Sequence, residues 1–377
     1  MNKKINLFVP SFRTEEILEQ IRECLNVGWT GLGFKTIEFE NKWKEYTGLN
    51  NAHYLNSNTA GLHLALNIFK KKYNWNDGDE IITTPLTFIA TNHAILYENL
   101  RPIFADIDEY LCLDPKSILN KITSKTKAIM FVGFGGNSGQ LEEVSKICKE
   151  KGLIFILDAA HMAGTKLNGK HVGNEADVAI FSFQAVKNLP TGDSGMICFK
   201  DNELDKIVRK LSWMGINKDT YSRNNQGNYS WKYDVDDLGF KYHGNSIMAS
   251  IGLIQLKYLE EDNKRRNEIA KLYDEMFNEI KEIETIKIPS NCYSSRHLYQ
   301  IIVKNRDKLL DYLCSNNIFP GVHYICNTEY LMYSYAKGSC LNAERISNSI
   351  LSLPIHLKLS NEDINLVVSH IKEYVQE

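Results

Sequence analysis

Residues 156–161 and 181–195 read ILDAAH and FSFQAVKNLPTGDSG. The first ends the apolar run LIFIL, 153–157, on an aspartate, Asp158. The second places Lys187 five residues after Ser182, in a turn-like segment that follows a short apolar strand and carries Pro190 and two glycines. That setting takes the lysine off a solvated helix face, the commoner place for one. A carboxylate buried at a strand end costs several kcal/mol unless it is paired or hydrogen-bonded. Taken alone, Asp158 is read equally well as a cap for the AAHMAG segment that follows.

Working outward, short apolar runs at 80–84, 101–105, 128–132, 153–157, 177–181 and 195–199 predict buried strands. Helical spacing at 87–98 and 139–151 falls between them, which predicts a mainly parallel sheet covered on both faces. Further helices are expected at 15–25, 34–46 and 58–72, the last capped by Asn58 or Thr59. A long helix is predicted over 246–281, then strand-like pieces to 303 and a mixture of helices and short strands to the end. We expect a large α/β domain over 1–245 and a smaller α/β domain over 246–377, with the extreme N-terminus packing on the smaller one. A chain of 377 residues exceeds what one core usually holds. Ligands of such sheets bind beyond the carboxyl ends of the strands, and Asp158 and Ser182 both lie there.

A strand-end acid and a loop lysine are the pair that pyridoxal phosphate (PLP) chemistry requires. The lysine joins the aldehyde as a Schiff base and the acid faces the pyridine nitrogen. Burial favours the neutral, nucleophilic amine. The segment NSNTAG, 56–61, runs from an apolar strand into a helix, so the N–H groups of Thr59 and Ala60 could hold a phosphate, with the Ser182 hydroxyl as a further donor. An ordinary helix cap explains the same residues. Phe88 could stack on a planar ring or fill the core. His161 could support Asp158 or the cofactor edge, or serve as a structural histidine. GFGGNSG, 133–139, lacks the G-x-G-x-x-G spacing of a dinucleotide site and is read as a tight loop.

Composition narrows the classes. Charged residues make up 24% of the chain and the net charge is −2, which gives no footprint for nucleic acid. Eight cysteines are scattered without C-x-x-C or zinc spacing, so we expect no metal site and no disulfide framework. No apolar run has membrane-spanning length, and Pro10 interrupts the short apolar start, so a cytoplasmic protein is expected.

These motifs, with GWTGLGFKTIEFENKWKEYTG, PLTFIATNHAIL, LGFKYHGNSIMASIGLIQL and SILSLPIH, resemble the DegT/DnrJ/EryC1/StrS family of PLP-dependent sugar aminotransferases over nearly the whole chain. The resemblance implies PLP-transferase fold type I. It implies Lys187 as the linking lysine and acid–base, Asp158 on the ring nitrogen, Thr59, Ala60 and Ser182 on the phosphate, and Phe88 on the ring. It also implies a homodimer with shared active sites, each receiving the partner subunit's Lys241, and a substrate site drawing on Trp29, Thr30, His243, His323 and Tyr324. The usual reaction moves an amino group from L-glutamate to a nucleotide-activated keto-deoxysugar for surface polysaccharides. One branch dehydrates with histidine in place of the lysine, and Lys187 separates this chain from it. Lys241–Tyr242–His243 replaces the family's Asn–Tyr–Arg, and Cys326 and Thr328 replace a proline and a histidine. Read as substrate-facing, these changes suggest an unusual acceptor, with a small phosphorylated ketone such as dihydroxyacetone phosphate as the alternative to a nucleotide sugar. A PLP-binding regulator without turnover is the rival from another class.

Overall fold

The computed structural model describes residues 3–217 and 232–376. Strand β1 (Ile5–Asn6) precedes helices α1 (Thr14–Val27) and α2 (Phe34–Thr47). Then come β2 (His53–Leu55), α3 (Asn58–Lys72), β3 (Glu80–Thr83), α4 (Ile89–Tyr97), β4 (Arg101–Phe104), β5 (Thr126–Val132) and β6 (Ile154–Asp158). Short strands β7 (Lys166–Leu167) and β8 (Lys170–His171) lead to β9 (Val178–Ser182) and β10 (Gly195–Phe199). Seven strands make one sheet in the order β2-β10-β9-β6-β5-β3-β4. The five from β9 to β4 are parallel, and β10 runs antiparallel to both of its neighbours. The expected mainly parallel α/β sheet is therefore present.

The apolar runs are continuous because both faces are covered. In β5, Ile129 and Phe131 enter the core shared with Phe39 and Trp43, while Ala128 and Met130 enter the core formed with α3 and α4. Helix α3 is buried almost all round, and Gly61 lets it lie close to β9: a Cβ there would come within 2.6 Å of Ile180 Cγ2. Its cap is Ser57, whose Oγ accepts from Ala60 N at 3.1 Å, and not the expected Asn58 or Thr59, which already lie in the first turn. Strand β2 lies at the sheet edge, where Glu40 Oε1 accepts the Tyr54 N–H at 2.8 Å.

The remaining strands are β11 (Ile283–Thr285), β12 (Cys292–Tyr293), β13 (Tyr299–Val303), β14 (Ile318–Phe319) and β15 (Ile350–Leu353). β11, β13 and β15 form an antiparallel sheet over a separate core, and β1 joins β14 in parallel. The long helix Ser246–Phe277 ends four residues short of the expected 281. It belongs to both parts. Ala249, Leu256 and Leu259 lie in the large core, and Ile269, Ala270, Tyr273 and Phe277 lie in the small one. We propose that the domain division runs through the middle of this helix instead of in front of it. The 133–139 segment is a tight turn, as its glycines suggested, with Gly135 and Gly136 at φ 61° and 94°.

Candidate active site

Asp158 ends β6 and Ser182 ends β9, side by side in the sheet, and both open on a cavity of about 550 Å³. The Lys187 turn, the start of α3 and the start of α4 close it. Asp158 is 3% exposed. Its Oδ2 accepts from Thr91 Oγ1 at 2.8 Å, and its Oδ1 from Ala160 N at 3.2 Å and Asn58 Nδ2 at 3.3 Å. All three donors are neutral, and among the described residues no cation reaches ion-pair distance. Burial outweighs these bonds and raises the Asp158 carboxyl above the usual range. A buried acid aimed into a cavity without a cation is what a protonated pyridine nitrogen would satisfy.

Lys187 is fixed by its surroundings. Its N–H donates to Gln184 O at 2.8 Å, and the next residue, Asn188, donates from Nδ2 to Asn263 Oδ1 and Ser295 O, both at 2.7 Å. Burial pushes its ammonium down to about 8, against the pull of Asp158. The neutral amine is the nucleophile, so the rate at which the cofactor-free chain captures PLP should rise about tenfold per pH unit below that pKa and then level. Stopped-flow absorbance would measure it. A rate that keeps climbing into the ordinary lysine range, about pH 10, contradicts a desolvated amine.

Among the described residues no hydrogen bond takes up the N–H groups of Asn58 and Thr59, and both residues line the same cavity as the lysine. The first turn of α3 rests on Gly195, where a Cβ would come within 2.6 Å of Asn58 N. With the Ser182 hydroxyl, these groups make a site of the right chemistry for a phosphate. The residues present therefore fit PLP at both ends, ring nitrogen and phosphate.

Several placements differ from expectation. The Ala60 N–H is taken by Ser57, and Asn58 stands on the cavity in its place. His161 does not support Asp158: its Nδ1 accepts from Gly135 N at 3.2 Å and its Nε2 meets Tyr324 Oη at 3.2 Å. Phe88 sits at the mouth, 60% exposed, with its ring 6.1 Å from that of Tyr324. His323 lines the wall and bonds Ser352 Oγ through Nδ1 at 3.0 Å. Trp29, Thr30, Lys241 and His243 are absent from this chain's cavity. Trp29 Nε1 donates to Leu32 O at 2.7 Å, and Thr30 O accepts from Ser246 N. Lys241 Nζ lies 3.5 Å from the centre of the Trp213 ring, against which His243 packs edge-on. Cys326 and Thr328 are wholly buried and in contact, Sγ to Oγ1 at 3.1 Å, so these departures adjust the interior and do not face a substrate. Sequence reading missed Asn58 and Thr91 as partners of Asp158, and His297 beside Lys187; His297 has no local signal, being far along the chain.

Residues 12–372 match the DegT/DnrJ/EryC1/StrS aminotransferase family. The chain belongs to that family. It is a PLP-dependent aminotransferase, and the cavity has the chemistry the cofactor needs. The chain is 34% identical to the spore coat polysaccharide biosynthesis protein SpsC of Bacillus subtilis strain 168, over 100% of this chain and 99% of that one. It is 30% identical to the dTDP-4-dehydro-2,3,6-trideoxy-D-glucose 4-aminotransferase of Saccharopolyspora spinosa, over 99% and 97% of the two chains. The solved structure of Helicobacter pylori PseC, an aminotransferase involved in the biosynthesis of pseudoaminic acid, superposes with a TM-score of 0.91 at 27% identity, over 99% of this chain and 100% of that one. No helix among the described residues is long and apolar enough to cross a membrane.

Proposed function

We propose that the chain transfers the amino group of L-glutamate to the keto group of a nucleotide-activated deoxysugar, for a surface polysaccharide. The observation that carries the reading is the buried Asp158 and Lys187, whose ammonium burial pushes down to about 8, on one cavity. The activity printed for the Saccharopolyspora relative and the polysaccharide role printed for the Bacillus one support the acceptor class.

When bound, PLP supplies an electron sink for carbanion chemistry at the carbon bearing the amino group. The chain supplies the rest. Asp158, held by Thr91, Asn58 and Ala160, would pair with the ring nitrogen and keep it protonated. Asn58, Thr59 and Ser182 would hold the phosphate, and Phe88, at the cavity mouth, would lie against the ring. Lys187 Nζ carries the proton to and from the reacting carbon, which its depressed pKa allows near neutral pH. His323 and Tyr324 bound the space where an acceptor would sit. Trp29, Thr30, Lys241 and His243 lie outside their own chain's cavity, and in the proposed homodimer they serve the partner's site. A two-fold contact gives both sites the same help.

The smaller acceptor loses part of its motive, since Cys326 and Thr328 are interior. A donor–acceptor panel read by mass spectrometry decides. The PLP-loaded protein should form a new amine only with glutamate and a keto-sugar nucleotide. Amination of dihydroxyacetone phosphate in preference to every nucleotide sugar would overturn the acceptor. A product formed from another amino acid but not from glutamate would overturn the donor.

A further inference from the structure

We propose that His297 is a positioning residue for Lys187: its bare Nε2 accepts a hydrogen bond from Nζ and so aims the amine lone pair into the cavity. This rests on the reading of Lys187 as the linking lysine. His297 is 2% exposed and stands on the cavity wall, with Nε2 3.5 Å from Lys187 Nζ. That contact is long, as such bonds often are before the reacting partners are bound.

The surrounding bonds determine which ring nitrogen carries the proton. Asn188 spends both Nδ2 hydrogens, on Asn263 Oδ1 and Ser295 O. Its Oδ1 is therefore an acceptor, and His297 Nδ1, 3.0 Å away, must be the donor. In the neutral ring Nε2 is then a lone pair facing the lysine. Phe8 stacks on the imidazole at 5.6 Å and 8°, which fixes the ring plane.

The same surroundings rule out a role as a base. Lys187, His161, Arg266 and His323 all oppose a positive charge on His297, and burial opposes it more strongly still. The ring stays neutral and takes no proton from the lysine. It only orients the Nζ hydrogens. The step it assists is balanced without any other reactant: Nζ attacks the aldehyde carbon of PLP, a C=N bond forms, and the oxygen leaves as water.

The test compares covalent with non-covalent holding of the cofactor in the full chain freed of PLP. His297→Phe keeps a flat ring against Phe8 and removes the acceptor. It should slow the covalent capture of PLP, followed by absorbance and fixed with borohydride, about tenfold. The affinity for pyridoxamine phosphate, which has no aldehyde to join Lys187, should stay within about twofold. His297→Gln, whose Oε1 offers an acceptor at similar reach, should recover most of the capture rate. His297→Asn is too short to reach Nζ and serves as the same test if the phenylalanine variant does not fold. Unchanged capture in the phenylalanine and asparagine variants overturns the proposal, and so does an equal loss of pyridoxamine phosphate affinity, which would mark a structural role. Lys187→Ala separates the underlying reading: borohydride-fixed PLP persisting in that variant would refute Lys187 itself and not merely its orientation by His297.

Discussion

Replacement of Lys187 by alanine is expected to lower kcat by about 10⁴-fold, the upper range for loss of a positioned acid–base. The side chain is asked to do two things, join the cofactor and move a proton. The second has no understudy. His161, His297 and His323 line the same cavity, and burial drives each of them well below the ordinary histidine range. They are neutral at working pH, and water admitted by the smaller side chain is a poor substitute. Single-turnover absorbance should show a glutamate-induced change that then stalls, with no oxo-acid released. Turnover within tenfold of the parent would remove Lys187 from the reaction.

Asp158→Asn is expected to cost about 10³ in kcat, comparable to the removal of one preorganised electrostatic partner. The carboxylate has three neutral donors and, among the described residues, no cation at ion-pair distance, and burial opposes its charge. It gains a partner only when a protonated ring nitrogen faces it. An amide has no charge to hold that proton, and its NH₂ would face the ring or Thr91 with nothing gained. The shape is almost unchanged, so the far-ultraviolet circular dichroism of the cofactor-free variant should match the parent. A kcat near the parent value would show that the ring nitrogen does not depend on this carboxylate.

Most of the fold was legible because a doubly covered parallel sheet writes itself as isolated apolar runs. The six runs from 80 to 199 correspond to β3, β4, β5, β6, β9 and β10 with no end shifted by more than two residues. The direction of β10 was not legible. Its sequence, GMICF, is buried on both faces like the parallel strands of the sheet, and only pairing reveals that it runs the other way. Asp158 and Lys187 were legible because burial and turn chemistry are local properties. The companions of Asp158 were not. Asn58 looked like a cap and Thr91 like a helix residue, and their bonds to Asp158 cross 100 and 67 residues. His297, 110 residues beyond Lys187, is invisible for the same reason. The departures at Cys326 and Thr328 misled because a motif comparison shows that a residue changed and not which way it faces.

The antiparallel β10 also sets the order in which a growing chain can become competent. Strand β2 has no place in the sheet until β10 exists, since β10 is its sheet neighbour and lies between it and β9. Gly195, the first residue of β10, is also the bed for the first turn of α3. A nascent chain emerging as far as β9 thus carries Asp158 at a finished strand end while its anion cradle is still unmade. The cradle closes only when residues near 55 meet residues near 195, a long-range encounter of the slow kind. The phosphate end of the cavity therefore depends on a pairing that the Asp158 end does not need.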